Sequence, residues 1–232
     1  VRWARRLGFD AVELHLRSAA QVQVSELLDA CAETGLAVSA ISTGMGHSVD
    51  GLSLIDEDAG RREAAVQRLV GHIDLAARLG CAVIIGLMRG VIPQGSRAEE
   101  HLDRFAAGLR RLLEHAEAGQ VTLMVEAINR FQANYLLNVP ETLRFVRRLG
   151  HPLLKLHIDT FHMNIEDDDM AEAIRASRDH LGYVHYSENN RGTPGSGQID
   201  FRLLTRTLLS VGYRGFVALE FAPEGDPAQC AG

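Results

Sequence analysis

Short apolar runs alternate with amphipathic stretches along the chain. Residues 61–80 and 104–119 carry apolar side chains at i, i+3, i+4 and i+7, the spacing of one helical face. The runs between such stretches are rich in β-branched residues and predict strands. Seven strands are predicted: DAVELHL from Asp10, LAVSAIST from Leu36, CAVIIGLM from Cys81, VTLMVEAI from Val121, LLKLHID from Leu153, GYVHYSE from Gly182 and GFVALEF from Gly215.

This alternation of strand and helix predicts βα units and therefore a parallel sheet. Several strands are apolar throughout, as strands covered on both faces are. The length of 232 residues suits an α/β fold of the (β/α)8 TIM barrel type. A doubly wound open sheet is the alternative, but no G-x-G-x-x-G motif follows a strand to support a dinucleotide site. We therefore expect one barrel domain over residues 1–232.

Seven strands leave an eight-fold barrel one strand short. The opening VRWARRLGFD is typical of the second half of a helix followed by a turn, and the tail APEGDPAQCAG has no helical pattern. The sequence thus predicts a barrel that lacks its first strand and its last helix. An open seam is expected between DAVELHL and GFVALEF.

Composition narrows the classes of partner. Apolar residues form 46% of the chain and charged residues 23%, as in ordinary globular proteins. The formal net charge of −6 argues against a nucleic-acid partner, whose phosphates favour a basic face. No apolar run reaches the roughly 18 residues of a membrane span, and no signal peptide opens the chain. Three widely spaced cysteines predict neither disulfides nor a zinc ribbon and favour a cytoplasmic location.

The ends of the last four predicted strands carry residues that can bind a metal or transfer a proton: Glu126, Asp159, His185 and Glu220. In βα barrels the active site lies at the carboxyl ends of the strands. Each residue alone could cap a helix or make a structural hydrogen bond. Together they would repel one another in one cavity, at a cost of several kcal/mol, and a divalent cation removes that repulsion. Oxygen ligands with one imidazole suit Mn²⁺, Mg²⁺ or Co²⁺.

Polar residues follow these strand ends and could bind a polyol. They are Asn129, Arg130 and Gln132 after the first strand end, His162 and Asn164 after the second, and Glu188 and Arg191 after the third. Arg89, in LMRG, could hold a substrate carboxylate through two parallel hydrogen bonds, and a surface ion pair is an equal alternative. His157 is assigned to the barrel interior, and the sequence leaves the place of His15 open.

Four segments carry a family likeness: VEAINRFQANYLLN, DTFHMNIED, HYSENNRGTPGSGQIDF and FVALEF. They resemble the sugar isomerase/epimerase group with the xylose-isomerase-like barrel. Within that group the chain is most similar to D-tagatose 3-epimerases and D-psicose 3-epimerases. ISTGMGHSVDGLSL and VIIGLMRG look closer still to the 5-keto-L-gluconate epimerase branch, which acts on keto sugar acids. The likeness covers nearly the whole chain.

The resemblance implies a homodimeric or homotetrameric barrel that binds one divalent metal ion. Mn²⁺ is the expected ion, ahead of Co²⁺ and Mg²⁺. Its metal ligands would be Glu126, Asp159, His185 and Glu220, and both Glu side chains would exchange the substrate proton. It also implies that His162, Glu188 and Arg191 lie around the substrate. The group usually carries Glu where this chain has Gln132. With Arg89 as the attractive partner, neutral Gln132 favours a keto sugar acid, such as 5-keto-L-gluconate or D-tagaturonate, over a neutral ketose.

The expected reaction is inversion of C3 through an enediolate that the metal stabilises. Aldose–ketose or hydroxypyruvate isomerases use the same metal and move a proton between C1 and C2. A keto-glycoside lyase or a non-catalytic sugar-binding barrel also stays open. An endonuclease of this barrel class would need more His ligands and a basic groove, which the net charge of −6 argues against.

Overall fold

The computed structural model describes residues 1–222. Its seven strands are β1 Ala11–His15, β2 Ala37–Ser42, β3 Ala82–Ile85, β4 Leu123–Glu126, β5 Leu154–Asp159, β6 Leu181–Tyr186 and β7 Val217–Leu219. Each predicted strand overlaps one of these observed strands. The prediction of seven strands is therefore confirmed for the described residues.

The seven strands form one sheet in chain order, and every neighbouring pair is parallel. The register sets Glu126 beside His157 and Asp159 beside His185. Because all the strands run in one direction, their carboxyl ends meet at the same end of the barrel. The predicted parallel βα barrel is confirmed, and its topology brings the strand-end residues together.

Helices connect the strands and cover the outside of the sheet. Those in the described part are α1 Arg2–Arg6, α2 Val24–Thr34, α3 Met45–Ser48, α4 Ala59–Leu79, α5 Ala98–Glu117, α6 Val139–Leu149, α7 Thr160–Glu166, α8 Met170–Ser177 and α9 Phe201–Ser210. The side chain of Asn138 accepts a hydrogen bond from Glu141 N and caps α6, and Pro140 lies in the first turn, where it costs no hydrogen bond. Helix α1 and the turn after it match the helix and turn predicted within the first ten residues.

The glycines after three helices do not all act alike. Gly80 and Gly150 end α4 and α6 with φ of 67° and 63°, a left-handed conformation that glycine adopts without strain. Helix α5 ends differently, because the left-handed residue after it is Gln120, with φ of 51°. Gly119 is needed for close packing instead: a Cβ there would lie 2.7 Å from the Cβ of Ala77 on α4.

Strands β1 and β7 form the two edges of the sheet, and within residues 1–222 no ladder joins them. A cleft of about 710 Å³ lies between these strands. The predicted open seam is therefore confirmed. The expectation of no helix after the last strand concerns residues 223–232 and lies outside the described residues. None of the described helices is long and apolar enough to cross a membrane.

The main hydrophobic core lies between the sheet and the outer helices. Phe105 of α5 is fully buried there, with its ring stacked on Phe145 of α6 at 5.2 Å and edge-on to Tyr135 at 6.0 Å. A smaller apolar layer fills the barrel interior, formed by Ala40, Ile84, Met124 and Tyr183. Met124 and Tyr183 precede Glu126 and His185 by two residues, so this layer is the floor beneath the strand-end residues.

Replacing Phe105 tests this packing. Phe105→Ala should lower the free energy of unfolding by about 3–5 kcal/mol, because the change removes a large buried side chain and leaves a cavity. Phe131→Ala is the matched control: Phe131 is 81% exposed, and its loss should change the free energy by less than about 0.5 kcal/mol. Urea unfolding curves measure both, and equal losses would contradict this assignment of the core.

Candidate metal and substrate site

The four strand-end residues come together at the carboxyl end of the barrel. Glu126 ends β4, Asp159 ends β5, His185 lies one residue before the end of β6, and Glu220 follows β7. Each offers one ligand atom, and these atoms all lie within 4.8 Å of one another. Four side chains from four neighbouring strands therefore surround one point.

Direct contacts tie three of these side chains together. Nδ1 of His185 lies 3.2 Å from Oε2 of Glu220 and 4.0 Å from Oδ2 of Asp159. The other Asp159 oxygen, Oδ1, accepts a 2.8 Å hydrogen bond from Phe161 N and caps α7. The N-terminus of α7 thus holds the Asp159 carboxylate in place, with its second oxygen turned towards the cluster.

Close packing by β3 fixes the remaining carboxylate. A Cβ added to Gly86, just after β3, would lie 2.6 Å from Oε2 of Glu126. A side chain at residue 86 would force the Glu126 carboxylate to move. The carboxylate is buried and bordered by two imidazoles: His162 Nε2 is 3.7 Å and His157 Nδ1 is 3.9 Å from its Oε1.

Burial and nearby charges give the three carboxyl groups very different pKa values. Burial, followed by the Glu220 carboxylate, raises the pKa of Glu126 to about 8. Burial raises the pKa of Asp159 to about 7, although the charges of Arg191 and His185 oppose that rise. Burial would also raise the pKa of Glu220, but the hydrogen bond and charge of His185 hold it well below its usual range. The cluster therefore has more acid than it can keep ionised without added positive charge.

A divalent cation fits this donor set. Three carboxylates and one imidazole converge, and hard divalent ions prefer oxygen ligands with few nitrogens. A smaller group, Glu126, His157 and His185, has the same ligand spacing. His157 is fully buried in the barrel interior, as predicted, and neither ring nitrogen has a hydrogen-bond partner among the described residues. The structure thus contains a possible divalent-metal site.

Arg191 borders the cluster from the β6–α9 loop. Its Nη1 donates to Oδ2 of Asp159 at 2.6 Å and to Oε2 of Glu220 at 3.0 Å. Its guanidinium also stacks over the Phe161 ring at 4.5 Å. The backbone of Arg191 is left-handed, with φ of 61°. Arg191 therefore lies beside the predicted ligands, where it compensates part of their charge.

His162 is held in one orientation by Asn129. Nδ2 of Asn129 lies 2.7 Å from Nδ1 of His162, and an amide nitrogen can only donate, so Nδ1 is the acceptor. Burial lowers the pKa of His162 to about 3, so the ring is neutral and carries its proton on Nε2. This Nε2 lies 3.7 Å from Oε1 of Glu126.

The structure corrects the role expected for Glu188. Its carboxylate is fully buried and accepts backbone N–H bonds of 2.9 to 3.0 Å from loop residues, namely Asn189, Gly195, Gln198 and Ile199. Burial opposes ionisation, but these backbone hydrogen bonds lower the pKa of Glu188. Both oxygens are used within the loop. Glu188 therefore organises the glycine-rich loop of residues 189–199 and is not placed as a substrate contact.

The expectation that Arg89 lies at the mouth is wrong. A 3₁₀ turn, Leu87–Arg89, follows β3 and turns the side chain into the protein, where it is fully buried. Nη1 donates to the carbonyls of Glu126 at 3.0 Å and Leu136 at 3.1 Å, and the guanidinium lies over the Tyr135 ring at 4.9 Å. Arg89 braces the β4 end from behind. Gln132 is exposed on the β4–α6 loop, in keeping with a place near the mouth.

Glu13 was missed by the sequence analysis. It lies in the middle of β1, yet its Oε2 is 2.7 Å from Nε2 of His185. His15, two residues later on the same strand, has Nε2 at 3.1 Å from Oε1 of Glu13. Two ionisable residues spaced by two in DAVELHL share one strand face, and that spacing was the available signal.

Comparisons with known proteins agree with this architecture. A family model described as "Xylose isomerase-like TIM barrel" matches residues 1–230. An L-ribulose 3-epimerase of Mesorhizobium japonicum is 34% identical over 218 residues, 93% of this chain and 72% of the relative. A ketose 3-epimerase of Arthrobacter globiformis is 34% identical over 224 residues, 95% and 75% of the two chains. The crystal structure of apo 3-keto-D-glucoside 4-epimerase from E. coli superposes with a TM-score of 0.87 at 25% identity, over 99% of this chain and 89% of that one.

Metal affinity should rise with pH at this site. A cation can bind only after Glu126 loses its proton, so protons compete with the metal. Between 4.5, the ordinary carboxyl value, and the raised pKa of about 8, the Kd for Mn²⁺ should fall about tenfold per pH unit for each proton displaced. Titration calorimetry at several pH values measures this slope.

The Glu126→Gln variant is the control for that slope. It has no proton to lose at this position, so the slope should decrease by about one proton. A Kd that stays constant across this range in the wild type would contradict the competition.

Proposed function

The chain belongs to the xylose isomerase-like TIM barrel family, and we propose that it is a sugar epimerase that inverts C3 of a ketose with one divalent metal ion. The relatives named as L-ribulose and ketose 3-epimerases, each 34% identical, support this proposal. The observation that carries it is the meeting of Glu126 and Glu220 in one cluster with Asp159 and His185.

Epimerisation next to a carbonyl needs two acid–base groups on opposite faces of the carbon. One removes the C3 proton and leaves an enediolate, and the other returns a proton to the far face. Glu126 on β4 and Glu220 after β7 are separated by two strands in the sheet, so they approach a substrate from different directions. In the reverse reaction the two carboxyl groups exchange roles.

Glu126, Asp159, His185 and Glu220 would hold the metal. When bound, a divalent cation supplies Lewis-acid polarisation of the substrate oxygens and balances the buried negative charge. We propose Mn²⁺ before Co²⁺ or Mg²⁺, because a mixed set of carboxylates and one imidazole suits it well.

His162 and Arg191 would orient the substrate. The Nε2 proton of His162 points towards the Glu126 carboxylate, so a substrate oxygen beside Glu126 would receive that hydrogen bond. Arg191 borders Glu220 on the other side of the cluster and can donate to an oxygen there. Together they would place C3 between the two carboxyl groups.

A neutral ketose is better supported as substrate than a keto sugar acid. The keto-acid hypothesis needed Arg89 at the mouth, and this guanidinium instead bonds backbone carbonyls in the interior. Arg130 is paired with Glu166 at 2.8 Å, and Arg191 is paired with Asp159 and Glu220. Within residues 1–222, a substrate carboxylate therefore has little unpaired positive charge to bind at this end of the barrel. A homo-oligomeric assembly belongs to the same proposal and rests on the family resemblance.

Exchange with deuterated water tests the reaction. The protein loaded with Mn²⁺ is incubated separately with D-tagatose, D-fructose and D-tagaturonate in D₂O, and NMR locates the deuterium. Deuterium at C3, with D-tagatose or D-fructose converted faster than the acid, is the expected result. Deuterium at C1 or C2 would identify an aldose–ketose isomerase instead.

The E. coli relative suggests a second position to examine. That protein is named a 3-keto-D-glucoside 4-epimerase, and the chain covers 89% of it. A 3-keto glycoside should therefore be included in the same experiment. Deuterium at C4 of that substrate, with none at C3 of the ketoses, would replace the 3-epimerase proposal with a 4-epimerase.

Removing either acid–base group should abolish turnover. Glu126→Gln and Glu220→Gln should each lower kcat by at least about 10²-fold, because an amide cannot transfer the proton. Much of the metal affinity should remain, since the amide oxygen can still bind a cation. Glu63→Gln is the control: Glu63 pairs with Arg111 on the outer surface, and its loss should leave kcat unchanged.

A Glu126→Gln variant with near wild-type kcat would remove Glu126 from the chemistry. The same result for Glu220→Gln would remove Glu220. Either outcome would leave the two-base proposal without one of its groups.

A further inference from the structure

The Glu13 carboxylate lies inside the barrel, in the middle of β1. Its side chain is 8% exposed although β1 borders the open seam. Barrel interiors are normally filled by layers of apolar side chains, and a buried carboxylate costs several kcal/mol unless it is paired. The identity of its partners therefore indicates why a carboxylate stands at this position.

Glu13 has one partner in the predicted ligand set. Its Oε2 accepts a 2.7 Å hydrogen bond from Nε2 of His185, a residue that lies across the barrel on β6. The same oxygen accepts a 3.0 Å bond from the hydroxyl of Tyr183. That hydroxyl lies 2.7 Å from Oγ of Ser39 on β2. Side chains from β2 and β6 thus fix the direction of the carboxylate.

This contact decides which nitrogen of His185 faces the cluster. A nitrogen that donates to a carboxylate must carry a proton, so Nε2 is protonated. In a neutral ring the lone pair then lies on Nδ1, the atom 3.2 Å from Glu220 and 4.0 Å from Asp159. Glu13 therefore sets the side of the ring on which the lone pair lies.

We propose that Glu13 is a positioning residue that holds His185 with Nδ1 ready to bind the metal ion. This inference rests on the proposed metal site. Metal-binding histidines commonly donate their second nitrogen to a carboxylate, and loss of that partner weakens metal binding about 10- to 100-fold. Glu13 acts only through His185 and does not belong to either group of possible ligands.

Three variants separate this role from a general effect on folding. Glu13→Leu removes the acceptor and should weaken Mn²⁺ binding about 10- to 100-fold. Glu13→Gln keeps the size and one acceptor oxygen and should weaken binding less. Tyr183→Phe removes the other donor to the same carboxylate but leaves the Glu13–His185 bond, so its Kd should stay close to that of the wild type. Titration calorimetry measures Kd, and kcat is measured with saturating Mn²⁺.

A second measurement examines the imidazole directly. Long-range ¹H–¹⁵N NMR of the protein after chelation reports the protonation of each ring nitrogen of His185. The wild type and Tyr183→Phe should show a protonated, hydrogen-bonded Nε2. Glu13→Leu should lose that signature, which a merely structural change elsewhere in the barrel would leave in place. Saturating Mn²⁺ should restore most of kcat in Glu13→Gln, because positioning is weakened and the acid–base groups are intact.

The outcomes are distinct. Equal Kd values and equal His185 spectra in Glu13→Leu and Tyr183→Phe would overturn the role of Glu13 and leave the proposed function standing. If Glu13→Leu does not fold, the comparison of Glu13→Gln with Tyr183→Phe decides, and equal Kd values would again overturn it. A wild-type protein that binds no Mn²⁺ would overturn the proposed metal site, and this inference with it.

Discussion

Repulsion among buried carboxylates is the constraint on which the rest of the site depends. Glu126, Asp159 and Glu220 bring their oxygens within 4.8 Å of one another and of His185. Three like charges at this distance in a buried place cannot all stay ionised unless positive charge joins them. Two neighbouring side chains contribute to balancing this negative charge. Arg191 donates to two of the carboxylates, and His185 lies among them.

Contacts with the surrounding barrel hold two of the predicted ligand side chains in place. Gly86 leaves space for the Glu126 carboxylate beside the end of β3. The N-terminus of α7 holds one oxygen of Asp159. Arg89 donates a hydrogen bond to the backbone carbonyl of Glu126. Each contact restrains Glu126 or Asp159 from outside the cluster. These side chains therefore lose little conformational entropy when an ion binds. Such preorganisation favours binding of a cation and of a transition state alike.

The sequence predicts the positions of site residues that are set by the direction of the strands. It does not predict those that are set by local turns after the strands. Glu126, Asp159, His185 and Glu220 could be found because parallel strands end at one edge, and an apolar run reveals where each ends. Arg89 and Glu188 follow strand ends too, but a 3₁₀ turn buries the first and backbone N–H groups of a loop capture the second. Glu13 was not predicted because it lies in the middle of β1 and not at a strand end. From the barrel interior it contacts Nε2 of His185, the ring nitrogen that points away from the cluster.

We propose that Glu126, Asp159, His185 and Glu220, and not the group of Glu126, His157 and His185, hold one ion. A crystal of the protein soaked in Mn²⁺ and measured at the manganese absorption edge gives the position of the metal directly. One anomalous peak is expected, about 2.0–2.6 Å from an oxygen of Glu126, Asp159 and Glu220 and from Nδ1 of His185. A peak bound by Glu126, His157 and His185 without Asp159 and Glu220, or no peak at the strand ends, would contradict it.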